Sequence, residues 1–215
     1  MGFAVIAFDG EDDAAPARRM AARDRHLDLI TPMAADGRLA LGVPLQSDGP
    51  LGSLMVLNTP DRAGVDAYLA AEPFAQGQVW KRHTVHPFRI APLPYQPLVP
   101  TGAGMPSGRT HTVIVAFDGT DPAALDRRMK VREAHMARVR PMAADGTLAF
   151  GGAILDAEGR MTGSIAVVRF DTDAGAQDWM REDPYVTGDV WREVTLYGTR
   201  FAPLPYQPLP GAEHG

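Results

Sequence analysis

Hydrophobic and polar positions follow one another along this chain in an order that occurs twice. Short β-branched and aromatic runs at 3–8 and 111–117 end at Asp-Gly, which is typical of strands that lead into a turn. The longer segments 13–35 and 122–144 carry apolar residues at helical spacing and predict helices. A glycine follows each of these segments, at the position where glycine commonly ends a helix.

The remaining apolar runs predict a β-hairpin, a second helix and a last strand in each half. In the first half the hairpin strands are at 38–45 and 52–58, the helix is at 61–71 and the last strand begins at Val79. In the second half the hairpin strands are at 147–155 and 163–170, the helix is at 172–182 and the last strand begins at Val190. The helix predicted at 172–182 begins at the capping signal Asp171-Thr172-Asp173. The order is therefore β-α-β-β-α-β, twice. It predicts an α+β fold of two ferredoxin-like domains that pack sheet to sheet as an intramolecular pseudo-dimer.

Identical segments indicate that the two halves are copies of one unit. AFDG at 7–10 returns at 116–119, PMAADG at 32–37 returns at 141–146, and APLPYQPL at 91–98 returns at 202–209. The segment between the copies is rich in Gly, Pro and Ser and predicts a linker. We expect a first domain at 1–98, a linker at 99–110, a second domain at 111–209 and a tail at 210–215.

One face of each long helix combines arginine and histidine. Met20 and Leu27, like Met129 and Met136, recur at heptad spacing and predict the face that packs on the sheet. A second stripe lies about a quarter-turn away, at the edge of that face. It consists of Arg19, Arg23, His26 and Ile30 in the first copy and of Arg128, Arg132, His135 and Val139 in the second. A half-shielded histidine suits acid–base chemistry and arginines suit an anionic substrate, whereas the alternative is a solvated edge with a structural histidine.

An acidic residue before proline marks the end of the second predicted helix in each copy. The motif is Asp183-Pro184-Tyr185 in the second copy and Glu72-Pro73-Phe74 in the first. One interpretation is a helix stop with an aromatic plug, because proline disfavours helical geometry in the preceding residue. The other is a carboxylate that orients the histidine and sets its tautomer.

Together these motifs resemble the YciI-like (YCII-related) proteins. The second copy has Arg132-Glu133-Ala134-His135, Gly163-Ser164 and Asp183-Pro184-Tyr185, and the first has Arg23-Asp24-Arg25-His26, Gly52-Ser53 and Glu72-Pro73-Phe74. The resemblance implies a ferredoxin-like fold of the dimeric α+β barrel type, with a site centred on a histidine and an aspartate. Relatives in that superfamily include muconolactone-isomerase-like and cofactor-free oxygenase-like enzymes. Glu72 departs from the aspartate of the pattern, which favours the second site.

Composition narrows the classes of function. The formal net charge is −5, from 21 basic and 26 acidic residues, which argues against a general nucleic-acid or anionic-membrane binder. The absence of cysteine excludes disulfides, thiolate metal sites and cysteine nucleophiles. No signal peptide or membrane span is recognisable, so we expect a soluble cytoplasmic protein. No phosphate loop or dinucleotide fingerprint occurs, and we expect no cofactor.

Other polar residues give weaker signals. Ser53 and Ser164 are candidates for donating to a substrate oxygen, although a small residue at a strand start is commonly structural. His83 and His86 lie three apart in a strand and point to opposite faces, so we expect no metal site there. The aspartates that follow AF in the AFDG segments are interpreted as strand-ending turns.

The repeated APLPYQPL segments cannot continue a central strand, because proline lacks the N–H that a ladder requires. We name residues 91–98 the first arm and 202–209 the second arm. Each is expected to lie extended across the partner domain or a second chain, anchored by Tyr95 or Tyr206. A homodimer through these arms is therefore one expectation.

The function favoured by these residues is that of a small-molecule enzyme without a prosthetic group, of the lyase or isomerase type. His135 would act as acid and base, Asp183 would orient it, and Arg132 with Arg128 would bind an anionic or enol-type oxygen, with Tyr185 and Ser164 beside it. His26, Glu72, Arg19, Arg23 and Ser53 are the first-copy counterparts. Two alternatives stay open: a non-catalytic metabolite-binding or assembly module, and cofactor-free oxygenation, which would need a larger apolar cavity near the histidine.

Overall fold

A computed structural model describes residues 2–47, 50–100 and 102–212 of the chain. The first half comprises β1 (Gly2–Asp9), α1 (Ala15–Ala35), β2 (Leu39–Gln46), β3 (Pro50–Leu57), α2 (Arg62–Ala71), α3 (Pro73–Gln76) and β4 (Trp80–Ile90). The second half comprises β5 (His111–Asp118), α4 (Ala124–Ala144), β6 (Leu148–Leu155), β7 (Met161–Val168), α5 (Asp173–Arg181), α6 (Pro184–Thr187) and β8 (Trp191–Thr199). The predicted order of elements is confirmed. The short helices α3 and α6 were not predicted.

The eight strands form one closed barrel in the order β1-β3-β2-β8-β5-β7-β6-β4, with every pairing antiparallel. Each half contributes four consecutive strands of this order. The two halves meet where β2 pairs with β8 and where β4 pairs with β6; the second contact includes the pairs Arg89↔Ala153 and Ile90↔Gly152. The α+β fold class predicted from the sequence is confirmed, and the domain boundaries within it stay a prediction.

Alternate strand residues point to opposite faces and so build two apolar layers. Ile6, Leu54 and Val56 pack with strand residues of the second half in one cluster inside the barrel. Val5, Met55 and Leu57 face outward and pack under the helices of the first half with Ala22, Ile30 and Met33. The candidate site residues of the long helices lie in this outer layer, between helix and sheet.

The predicted packing face of the long helices was wrong at its first position, whereas Leu27 and Met136 of the same stripe do pack against the apolar clusters. Met20 is 66% exposed and its counterpart Met129 is 52% exposed. The face of α1 that packs on the sheet instead contains Ala22, His26 and Ile30, and Ala22 lies about 200° around the helix from Met20. Small alanines let the helix approach the sheet closely there. In the first half, His26 and Ile30 are thus on the buried face, whereas His135 in the second half is half-buried, as the sequence predicted.

Both arms cross to the opposite half of the molecule. The Tyr95 hydroxyl of the first arm donates to the carbonyl of Gly151 in β6, at 3.0 Å. The Tyr206 hydroxyl of the second arm donates to the carbonyl of Gly42 in β2 at 2.8 Å and accepts from the N–H of the same residue at 3.1 Å. Each arm is thus anchored within the chain by its tyrosine. A homodimer through the arms stays a prediction.

Candidate active site

The acid-Pro-aromatic motif begins a short helix as well as ending the previous one. Asp183 has extended backbone geometry between α5 and α6, and Pro184 takes the first position of α6, where a missing N–H costs nothing. The Asp183 carboxylate accepts from the backbone N–H of Tyr185 at 2.9 Å. This cap fixes the direction of the carboxylate and turns the Tyr185 ring toward α4.

The structure places His135 against both residues of that motif. Its Nδ1 lies 2.8 Å from Oδ1 of Asp183, and its ring stacks on the Tyr185 ring with 3.9 Å between centroids. Asp183 is completely buried behind the imidazole. Because a carboxylate accepts, Nδ1 donates, which leaves a lone pair on Nε2 of the neutral ring. Nε2 has no hydrogen-bond partner among the described residues.

A third residue holds the Asp183 carboxylate. Arg138, one turn along α4 from His135, donates to Oδ2 of Asp183 at 3.2 Å and to the carbonyl of Trp179 at 2.6 Å. A buried carboxylate needs such partners, because an unpaired charge away from water is costly. Arg138 was not among the residues predicted from the sequence. The repeat gives no signal for it, since the corresponding first-half residue is Leu29.

The buried side chain of Arg128 is held by a carboxylate, a hydroxyl and the face of the Tyr185 ring. Its guanidinium donates twice to Asp118, at 2.6 and 3.0 Å, and once to the Ser164 hydroxyl at 2.8 Å. It also lies over the Tyr185 ring, 4.3 Å from the centroid, and only 2% of its surface is exposed. Asp118 does end β5, as the sequence predicted, and its carboxylate also holds Arg128, a role that was not predicted. The repetition of AFDG in both halves was the available signal.

Ser164 has its oxygen engaged and its proton free. The oxygen accepts from Arg128 and, at 3.2 Å, from the indole N–H of Trp191. A hydroxyl has two acceptor lone pairs and one donor, so only the O–H remains for a further partner. No acceptor for this proton occurs in the part of the chain that the structure describes. The hydroxyl is thus prepared to donate to a ligand oxygen.

A cavity of about 460 Å³ lies in front of these groups. The polar residues of its lining include His135, Ser164, Tyr185, Arg128 and Arg132, whereas Asp183 is not part of the lining. Burial raises the pKa of Tyr185, and the two arginines oppose this shift, so the phenol is neutral near pH 7. Such a volume fits a small molecule, as in many ligand pockets.

The wall of the cavity opposite α4 comes from the first half of the chain. Arg89 at the end of β4 and the first-arm residue Leu93 line it, beside Gly152 and Ala153 of β6. Arg89 and Arg132 form no ion pair or side-chain hydrogen bond with any residue in the described ranges. Two cations without carboxylate partners face one cavity. Arg89 was not predicted from the sequence, because nothing local indicates that it reaches the other half.

The first half repeats the arrangement with different partners. His26 Nδ1 lies 2.7 Å from Glu72 Oε1, and its ring stacks on Phe74 at 4.0 Å. The longer Glu72 side chain therefore still reaches the histidine. Its other oxygen accepts from the Tyr68 hydroxyl at 2.7 Å, and burial together with the neighbouring carboxylate raises the pKa of Tyr68 well above its usual value.

The first-half arginines differ from their counterparts in exposure and in ion pairing. Arg19 donates to both oxygens of Asp9 and to Ser53, as Arg128 does in the second half, but 14% of its side chain is exposed. Arg23, the counterpart of Arg132, lies 3.9 Å from the exposed carboxylate of Asp24.

Both halves of the chain match one family model. A model of the YCII-related domain matches residues 1–89 and again residues 112–200. The chain belongs to the YCII-related family. An "Uncharacterized protein" of Haemophilus influenzae is 36% identical over 88 residues, which are 38% of this chain and 90% of the relative. The Protein YciI of Escherichia coli is 32% identical over 90 residues, 39% of this chain and 90% of its own.

Solved structures support the fold of this YCII-related chain. A mutant chlorite dismutase from Candidatus Nitrospira defluvii superposes with a TM-score of 0.54 at 13% identity, covering 94% of this chain and 92% of its own. At such identity the likeness concerns the fold alone. Among the described helices, none combines the length and apolar character needed to cross a membrane. The described residues also contain no cluster of three or more metal-ligating side chains.

Proposed function

We propose that the second half of the chain carries an acid–base site for a small anionic or oxygenated molecule. His135 is the group that takes and returns a proton, and Asp183 orients it and stabilises the imidazolium that forms. Arg132 and Arg89 bind the negative charge of the ligand. The Ser164 hydroxyl donates to an oxygen on which charge develops.

The chemistry follows from these positions. Nε2 of His135 takes a proton from a carbon beside a carbonyl or carboxylate group, and the electron pair of the broken C–H bond moves onto the oxygen. Arg132 and Ser164 stabilise that enolate oxygen. In an isomerisation the imidazolium returns the proton to a different carbon. In an elimination the electron pair instead expels a leaving group from the neighbouring carbon, and the imidazolium loses its proton to water.

One observation carries the proposal. The 2.8 Å contact between His135 and Asp183 stands at the wall of a cavity that also presents two cations without carboxylate partners. A histidine whose role is only structural would be satisfied at both nitrogens or covered by neighbours. Here Nε2 has no partner among the described residues while Nδ1 is held, which is the arrangement that a general base needs.

Two other functions predict different results in the same experiment. A non-catalytic binding module would hold an anionic metabolite in this cavity without turnover. A cofactor-free oxygenase would consume oxygen along with its substrate, and the apolar part of the cavity wall (Met136, Val139, Leu148 and Ala166) is the observation in its favour.

The experiment is a screen of metabolite pools by mass spectrometry, with the wild type, His135→Ala and His26→Ala compared side by side. We expect a small carboxylate or enol-type compound to be converted by the wild type and by His26→Ala, and the rate to fall about 10²- to 10⁴-fold in His135→Ala. Oxygen consumption would favour the oxygenase. Retention of a compound without conversion would favour the binding module. If His135→Ala changes neither turnover nor ligand binding, the site is elsewhere.

A further inference from the structure

Two corresponding positions on the sheet differ in the space that they leave beneath the helices. Ala166 of β7 pairs with Gly151 of β6, and Met55 of β3 pairs with Gly42 of β2. Ala166 and Gly151 line the cavity beside His135. Met55 has three more heavy atoms than alanine at the corresponding place and is 1% exposed.

The Met55 side chain fills the space above Gly42. A methyl group placed on Gly42 would lie 2.9 Å from the Met55 Cε atom and 3.1 Å from Leu39, closer than such atoms normally approach. A methyl group placed on Gly151 would find its nearest neighbours, Leu148 and the Tyr95 hydroxyl, at 3.6 Å, which is ordinary contact. The volume that is open in the second half is thus occupied by protein in the first.

The hydrogen bonds of the corresponding serine and tryptophan side chains also differ between the two halves. Trp191 donates its indole N–H to Ser164, whereas the buried indole N–H of Trp80 has no partner in the described parts of the chain. In the second half the Ser164 oxygen is thereby saturated, so its proton must point to a ligand or water. The Ser53 oxygen accepts only from Arg19, so its hydroxyl can still rotate and is less strictly directed than that of Ser164.

We propose that the chain has one ligand site, in the second half, and that Met55 is the side chain that removes the corresponding site from the first. Ala166 then determines the size of the ligand that the second site takes. The anionic class of that ligand rests on the proposed function, but the difference in space between the halves does not. The duplicated His26–Glu72 pair remains as part of the apolar layer under α1.

A first test uses 4-fluorobenzoate, which offers one carboxylate for Arg89 and Arg132 and one small ring for the apolar wall. Titration calorimetry of the wild type should give one equivalent bound per chain. Ala166→Met should weaken binding at least tenfold, and Met55→Ala, at the corresponding place in the other half, should leave the dissociation constant of this equivalent within threefold. Two equivalents bound to the wild type would overturn the proposal.

A second test does not depend on the charge of the ligand. Crystals of the wild type, Met55→Ala and Ala166→Met are pressurised with xenon, which occupies apolar voids. We expect xenon above Gly151 in the wild type, an additional xenon above Gly42 in Met55→Ala, and none above Gly151 in Ala166→Met. Xenon above Gly42 in the wild type, or none above Gly151, would overturn the proposal.

The two tests separate this inference from the function on which its ligand class rests. If the wild type binds no 4-fluorobenzoate but holds xenon above Gly151 only, the anionic ligand is wrong and the single open site stands. If 4-fluorobenzoate binds with two equivalents, the anionic site stands and the single site is wrong. Melting temperatures of both variants verify that they are folded.

Discussion

The ion pair between Arg128 and Asp118 offers a test of how the site is held, because its energetic consequence can be worked out from burial. The side chains are 2% and 3% exposed, and two hydrogen bonds join them at 2.6 and 3.0 Å. Asp118→Ala leaves the guanidinium with only the Ser164 hydroxyl and the face of Tyr185 as partners. Breaking a buried pair by removing one partner costs about 3–5 kcal/mol. We expect a loss of this size in the free energy of unfolding.

Two matched variants show whether burial is the cause. Asp9→Ala breaks the corresponding pair with Arg19, of which 14% is exposed, so water can solvate the remaining cation in part and the loss should be smaller. Asp178→Ala breaks an exposed pair with Arg181 and should cost no more than about 1 kcal/mol.

Urea unfolding followed by tryptophan fluorescence measures all three losses, since Trp80 and Trp191 lie opposite Asp9 and Asp118 on the neighbouring strands. The expected order is Asp118→Ala, then Asp9→Ala, then Asp178→Ala. A loss below about 1 kcal/mol for Asp118→Ala, or an equal loss for the exposed pair, would refute the reasoning, because a buried unpaired cation could not be so inexpensive.

Two further predictions concern the arms and the acid side of the stability profile. Tyr206→Phe removes two hydrogen bonds to Gly42 and should lower the free energy of unfolding by about 1–3 kcal/mol. Tyr95→Phe removes only one hydrogen bond, to Gly151, and should lower it less. Urea unfolding measures both losses, and the opposite order would contradict the arm contacts. Burial, together with the positive charge of Arg169, lowers the pKa of His111 from an ordinary 6.5 to about 4. The folded state thus favours the neutral ring, so its contribution to stability is complete above pH 6.5 and is lost as the pH falls toward 4. His111→Gln should flatten the decline between pH 6.5 and 4.5, and an unchanged slope would contradict this cause.

The repeat made most of the fold predictable. Two copies of the same strand and helix order permit few arrangements, and burying both sheets against each other is the simplest of them. The sequence could not say which face of α1 packs on the sheet, because Met20 and Ala22 are both apolar and only packing decides between them. Ala22 lies under the helix because a small residue allows close approach, and Met20 stays outside.

The site was predictable where the residues are near in sequence or repeated. The contact of His135 with the residue before Pro184 follows from two motifs that recur in order. Arg138 and Arg89 were not predictable, for two different reasons. Arg138 has no counterpart in the first half, and Arg89 reaches the cavity only because the barrel closes β4 against β6. Such long-range closure leaves no trace in local periodicity.

The most direct test of the central claim compares two isosteric changes, Asp183→Asn and Glu72→Gln, on the compound that the metabolite screen identifies. Each replaces the carboxylate that holds a histidine by an amide of the same shape, one beside the open cavity and one in the filled half. We expect kcat to fall about 10²- to 10⁴-fold in Asp183→Asn, as when a histidine loses the partner that fixes its tautomer, and to stay within threefold in Glu72→Gln. Equal losses in the two variants, or an undiminished kcat in a folded Asp183→Asn, would contradict the claim that the second-half histidine performs the chemistry.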